Sequence, residues 1–406
     1  MKAPTQLRYH LIEPLRGLAA VWVFVFHFSF SEAFQHAFPF LHSLLKAGDR
    51  AVPMFFVISG YCLATAFGRA QTHSQSFGNF LYQRARRIYP TFWLSIAVII
   101  AAHFGTEFLK ALVTGEWGAV NTARFRHYNW FDWVKIASLT QIFDQRFGLF
   151  FGRFGSVNGA YWTLGIEFQF YLIVALGLLR PRWSLWLAAA LTAVSLATFY
   201  HPVWKFHVMN TGSCIPFWSW FALGVAVHAL LKNGLTPASL FRHREQWISG
   251  ALVAGLGIAF LAVTAAGYEV ERLVFAVGFA VALWAGKSLD LPEPAPRAAG
   301  GSLASYAYQG LCVLGAMSYS VYLLHNQASE SWRSLLRLGG IRGSIMADLL
   351  CVGLTVLCCY PFYLYCEAPF LRSRRRPVNA VAAEDPSEVL SLPTGGEATA
   401  PARKAA

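Results

Sequence analysis

The chain has 406 residues, 56% of them hydrophobic and only 13% charged, with a mean hydropathy of +0.44. Soluble domains carry about a quarter charged residues, so this composition excludes an ordinary water-soluble protein and points to an integral membrane protein with many spans. The formal charge of +13 does not indicate a nucleic-acid partner, because the basic residues sit mostly at the ends of apolar segments, where membrane topology places them.

Given the roughly 20 helical residues a bilayer requires, the sequence predicts an all-α membrane protein of about ten transmembrane helices. They fall near 11–30, 51–68, 88–104, 161–179, 184–200, 214–231, 247–265, 270–287, 308–326 and 345–366. Charge sets the orientation: both termini are expected to be cytoplasmic, and four basic clusters agree with that. These are Arg84/Arg86/Arg87, Arg180/Arg182, Arg242/Arg244 and Arg372/Arg374/Arg375/Arg376. The 105–160 loop, with "RFRHYNWFDWVK", reads as an outer-face structure containing a surface-lying helix. Residues 8–372 form the transmembrane domain in this reading. A cytoplasmic tail at 373–406 has little to bury and is expected to be disordered. The seven cysteines (Cys62, Cys214, Cys312, Cys351, Cys358, Cys359, Cys366) lie almost entirely in apolar stretches and show no zinc or disulfide spacing. No cleavable signal is expected, because the first apolar run is long and lacks a small-residue cleavage site.

Several polar groups sit where an apolar span does not need them. In "LRGLAAVWVFVFH" (15–27), Arg16 and His27 are eleven residues apart, three helical turns plus about 20° and a rise of about 16 Å. They share one side of the first span, Arg16 at the cytoplasmic boundary and His27 about halfway across. Such groups usually face a cavity or a partner; a snorkelling arginine and a hydroxyl-satisfied histidine form the bland alternative. "VPMFFVISGYCL" (52–63) carries a Ser-Gly pair that suits close helix packing, with Ser59 as a ligand contact the other reading.

In "QRARRIYPTFW" (83–93), Arg84 and Arg87 share a helix face just before Pro90, a residue suited to starting a span. Two guanidinium forks there suit phosphate recognition, or else simply mark topology or hold anionic lipid. "YWTLGIEFQFYL" (161–172) buries Glu167 about 9 Å below the outer interface, where a carboxylate needs partners. "SYSVYLLH" (318–325) ends the ninth span, placing Tyr319, Tyr322 and His325 near the outer face as an aromatic belt or an acceptor site. "CEAPFLRSRRR" (366–376) puts Glu367 by the inner boundary, in reach of a basic cluster for a salt bridge. No metal-ligand spacing, Walker loop or dinucleotide fingerprint stands in a supporting context.

Taken together, these motifs are specific. Arg-x10-His, "FFVISGY", "RARRIYP", "LGIEFQFYL", "SYSVYLLH" and "EAPF" occur in the order seen in the acyltransferase-3 family, which the chain resembles from about residue 8 to 372. These are bacterial membrane-bound O-acyltransferases. The resemblance implies transfer of an acyl group, commonly acetyl, from cytoplasmic acyl-CoA to a hydroxyl of a glycan such as an exopolysaccharide, an O-antigen or a lipochitooligosaccharide. It implies a multi-pass protein of the bacterial inner membrane, with acyl-CoA as co-substrate and no bound cofactor, metal or nucleic acid. Polysaccharide assembly proteins are a further class of partner. The family's Arg-x10-His matches Arg16 and His27, and its Arg-x-x-Arg matches Arg84 and Arg87. Two departures bear on the acceptor: Pro53 stands where many members have an acidic residue, and Glu167-Phe168-Gln169 where many have Glu-Glu-Gln.

The expected mechanism holds the donor phosphates at Arg84, Arg87 and Arg16 and leads the pantetheine arm along the first span. His27 then removes the acceptor's proton, or carries the acyl group itself. Glu167 orients the acceptor or His27, and Ser59, Tyr319, His325 and Glu367 serve the acceptor or the structure. The competing class is a glycan transporter or flippase, in which Glu167 and His27 line a passage and no acyl donor binds.

Overall fold

The computed structural model describes residues 9–117, 125, 127–144, 157–201, 211–241, 244–268, 270–290 and 303–371. Every regular element among them is helical. In chain order they are α1 (Ile12–His27), α2 (Glu32–Ala37), α3 (Pro39–Lys46), α4 (Ala51–Thr72), α5 (Phe77–Thr114) and α6 (Trp130–Ala137). There follow α7 (Trp162–Leu179), α8 (Pro181–Tyr200), α9 (Ile215–Lys232), α10 (Pro237–Phe241), α11 (Glu245–Ala265) and α12 (Arg272–Ala285). The last are α13 (Leu303–Ala316), α14 (Ser318–Leu338), α15 (Ile345–Phe362) and α16 (Ala368–Leu371), with a π-helical turn at Tyr363–Glu367. The predicted tail at 373–406, Arg242 and the cluster at Arg372, Arg374, Arg375 and Arg376 lie outside the described residues.

Seven helices among the described residues are long and apolar enough to cross a membrane, or eight if one bent pair forms a single span. The segments predicted at 11–30 and 184–200 form helices α1 and α8, which that count does not include; α1 has only 16 residues. The lipid-facing character is plainest in α11. Its one buried residue is Ser249, while Trp247 is 84% and Ile258 66% exposed. A helix apolar on all sides and left uncovered is stable against lipid and aggregates in water.

Close backbone approaches fix the packing around the centre. At the crossing of α4 and α9, a Cβ on Gly60 would lie 2.0 Å from the Phe221 carbonyl oxygen, and one on Gly224 only 1.8 Å from that of Val57. The Ser-Gly pair of the second span therefore does bring helices together. Gly17 of α1 and Gly315 of α13 meet in the same way, with a Cβ on Gly315 falling 1.9 Å from the Glu13 oxygen. Small residues supply the adhesion that hydrophobic burial does not supply between helices in lipid.

Three predicted boundaries change. The span at 88–104 is the middle of a single 38-residue helix, α5, which starts at a Ser76 cap and ends at Gly115 with φ +75°. Pro90 is inside that helix, so Arg84 and Arg87 belong to its early turns instead of preceding it. The span at 308–326 is broken: α13 and α14 meet at Met317 with a bend of 77°. "SYSVYLLH" thus begins a helix. Its free N-terminal amides are met by Glu367, whose Oε2 accepts from the Ser320 N–H at 3.0 Å and the Ser320 hydroxyl at 2.5 Å. This capping role replaces the salt bridge predicted for Glu367. In the predicted 105–160 loop, the first ten residues extend α5, and α6 forms behind an Asn129–Asp132 capping box with Trp130 and Phe131 exposed.

Candidate active site

Five helices deliver seven of the predicted residues to one cavity of about 240 Å³: Arg16 from α1, Ser59 from α4, Arg84 and Arg87 from α5, Glu167 from α7, and Tyr319 and Tyr322 from α14. The spacing of three between Arg84 and Arg87 puts both on the cavity side of α5. Charge is only partly balanced there. Arg16 lies 3.8 Å from Glu13. Glu167 accepts the Tyr171 hydroxyl at 2.5 Å. The Arg84 guanidinium sits 5.3 Å from the Phe80 ring centre and 6.0 Å from that of Tyr171, and its Nε is buried with no hydrogen-bond partner among the described residues. A buried guanidinium donor left unmet beside flat rings suits an oxyanion, a phosphate or a carboxylate, that can accept from the fork.

Three placements differ from the sequence reading, those of Glu167, Tyr319 and Tyr322, the last of which also lines the arginine cavity. Glu167 stands with the arginines and shares no cavity with His27. Tyr319 also belongs to the arginine side, and its hydroxyl donates to the Ile88 carbonyl at 3.1 Å. The broken helix explains the shifts of the two tyrosines, because the bend returns the start of α14 to the middle of the bundle. Gln169, between Glu167 and Tyr171 in the chain, acts on a loop: its Nε2 donates to the Gly212 carbonyl and its Oε1 accepts from the Cys214 N–H, both at 2.9 Å.

His27 is the last residue of α1, exposed at a second cavity of about 420 Å³. Arg333 lines the same cavity, donating to the Ser29 carbonyl at 2.9 Å with its guanidinium 4.5 Å from the Phe28 ring centre. Across from His27 stand His103, Glu107 and Lys110 of α5, the last two paired at 2.5 Å, and Gln327 of α14. The sequence reading missed this group. Its signal is "HFGTEFLK" (103–110), whose polar residues recur at i, i+4 and i+7 on one helical face. Taking residues after 104 as loop hid that periodicity.

Among the described residues none lines both cavities. The link between them is a pair of side chains from α14. Tyr322 lines the arginine cavity, held by Thr163 Oγ1 at 2.5 Å and the Ala160 carbonyl at 2.7 Å. Its ring lies 6.0 Å from that of His325, which is fully buried and lies 5.5 Å from the His27 ring. Among the described residues no group of three or more His, Cys, Asp or Glu is placed to hold a metal.

The profile of acyltransferase-3, described as an acyltransferase domain, matches residues 10–364, which takes in every residue of both cavities. The chain belongs to the acyltransferase-3 family. It is similar to Nodulation protein 10 of Rhizobium leguminosarum bv. viciae, 26% identical over 345 residues that cover 78% of this chain and 75% of that protein. It is also similar to the O-acetyl transferase of Shigella phage Sf6, 30% identical over 135 residues that cover 33% of this chain and 36% of the phage protein. No solved structure matches. Membership of this acyltransferase-3 family makes the chain a membrane acyltransferase and decides between an enzyme and a transporter.

Proposed function

We propose that the protein transfers an acetyl group from cytoplasmic acetyl-CoA to a hydroxyl of a glycan exported across the bacterial inner membrane. An exopolysaccharide, an O-antigen or a lipochitooligosaccharide is the acceptor class. The name of the phage relative, an O-acetyl transferase, supports acetyl transfer. The observation that carries the donor assignment is the gathering of Arg16, Arg84 and Arg87 at one cavity, with the Arg84 Nε buried and without a hydrogen-bond partner among the described residues. A coenzyme A diphosphate supplies acceptor oxygens for these forks.

In this reading both termini are cytoplasmic and the arginine cavity opens inward. The pantetheine arm runs along α1 past Tyr322 and His325, over the rise of about 16 Å between Arg16 and His27. The glycan enters through the second cavity. An alcohol attacks poorly until its proton is removed, and a neutral imidazole has the basicity for that at ordinary pH. His27 takes the proton as the hydroxyl oxygen bonds to the thioester carbon and the thiolate leaves. Glu167 stays on the donor side, where its bond to Tyr171 shapes the wall of the phosphate site.

The test uses membranes containing the full chain, labelled acetyl-CoA and the host cell's surface and secreted glycans. His27→Ala is expected to reach the membrane at normal levels and to transfer no alkali-labile acetyl. Transfer at the wild-type rate by that variant overturns the assignment of the base.

A further inference from the structure

His325 has an unusually constrained hydrogen-bonding state. Its Nδ1 lies 2.9 Å from the Tyr322 carbonyl oxygen and 3.1 Å from that of Val321. Carbonyl oxygens only accept, so Nδ1 carries the hydrogen and the lone pair of the neutral ring is on Nε2. That Nε2 is buried and has no hydrogen-bond partner among the described residues. A buried acceptor left unmet costs about 1–3 kcal/mol, and native structures seldom keep one without a reason.

Three rings surround it. Phe24, at 5.9 Å between ring centres, has no hydrogen to give. Tyr322, at 6.0 Å, commits its hydroxyl to the Ala160 carbonyl at 2.7 Å. His27, at 5.5 Å and inclined by 33°, can supply an N–H. His27 ends α1 and is exposed at the second cavity, with the Phe26 ring set edge-on against it at 4.9 Å between ring centres on the chain's own side. Hydrogen bonds of this kind are often long without substrate and tighten when it binds.

We infer that His325 is a positioning residue for His27: its Nε2 accepts an N–H from one ring nitrogen of His27 and leaves the lone pair of the other facing the acceptor hydroxyl. This rests on the base role proposed for His27. As the acceptor oxygen bonds to the thioester carbon, its proton passes to the free nitrogen of His27, and the carbon–sulfur bond breaks to release the thiolate. The imidazolium so formed keeps its second N–H on His325 until it gives up the new proton to the thiolate.

Two substitutions separate this role from packing. His325→Asn keeps an N–H where Nδ1 stands, and with it the bonds to Val321 and Tyr322, but has no acceptor at the Nε2 position. His325→Gln places an amide oxygen near the Nε2 position and gives up the Nδ1 donor. Initial rates of acetyl transfer to the host glycan are measured in membranes holding equal amounts of each full-length variant, beside His27→Ala. The expected result is a loss of about 10²-fold for His325→Asn, with His325→Gln at least about tenfold faster than His325→Asn. A wild-type rate for His325→Asn, or equal impairment of the two variants, overturns the inference. If His27→Ala is inactive while the two variants match each other, only the role of His325 fails; if His27→Ala stays active, the base reading fails with it.

Discussion

Arg84→Ala is the sharpest probe of the donor site. The side chain lies 5.3 Å and 6.0 Å from the ring centres of Phe80 and Tyr171, and its buried Nε has no protein acceptor to lose. Removing it therefore leaves no newly orphaned protein oxygen, and the fold is expected to tolerate the change. What is lost is a fork aimed at phosphate, at about 1.5–3 kcal/mol for a hydrogen bond to a charged group. With tenfold for every 1.4 kcal/mol, one such bond corresponds to a rise of about 10- to 100-fold in KM for acetyl-CoA. Arg84→Lys restores the charge without the planar fork and is expected to recover only part of the loss. Initial rates at varied acetyl-CoA, in membranes of matched protein content, read the effect. An unchanged KM for Arg84→Ala refutes the phosphate assignment and returns that arginine to a topogenic role.

Two predictions concern the scaffold. Gly224→Ala sets a methyl group 1.8 Å from the Val57 carbonyl oxygen, so α4 and α9 must separate; a loss of about 1–3 kcal/mol is expected as a lower melting temperature in detergent, and an unchanged melt contradicts the packing described. Glu367→Leu strips the acceptor from the first turn of α14 and is expected to lower stability by about 1–3 kcal/mol, while Glu367→Gln, which keeps an oxygen there, costs less. Equal melting of these two variants speaks against a capping role.

Much of the site is legible in the sequence because it depends on local periodicity. Arg16 and His27 fall on one helix, and the i, i+3 spacing of Arg84 and Arg87 brings both to the cavity that also receives Ser59 and Glu167. What the sequence hides is set by distant contacts. Pro90 reads as a helix start, yet α5 runs through it and on to Thr114. The bend at Met317 has no proline to mark it; it is held by Glu367, 47 residues from Ser320 in the chain. That bend moves Tyr319 to the arginines and buries His325 against His27. The depth of Glu167 in its span is clear from residue counting, but its facing toward the arginines depends on how α7 packs.

The central claim is that one donor molecule reaches both cavities, its phosphates among the arginines and its acyl end at His27. A structure of the full chain in lipid with a non-hydrolysable thioether analogue of acetyl-CoA tests this most directly. The account predicts diphosphate oxygens about 2.7–2.9 Å from the Arg84 and Arg87 guanidiniums and the acyl carbon beside the His27 ring. Phosphates seated in the His27 cavity, or an acyl end halted on the arginine side of Tyr322, contradict it.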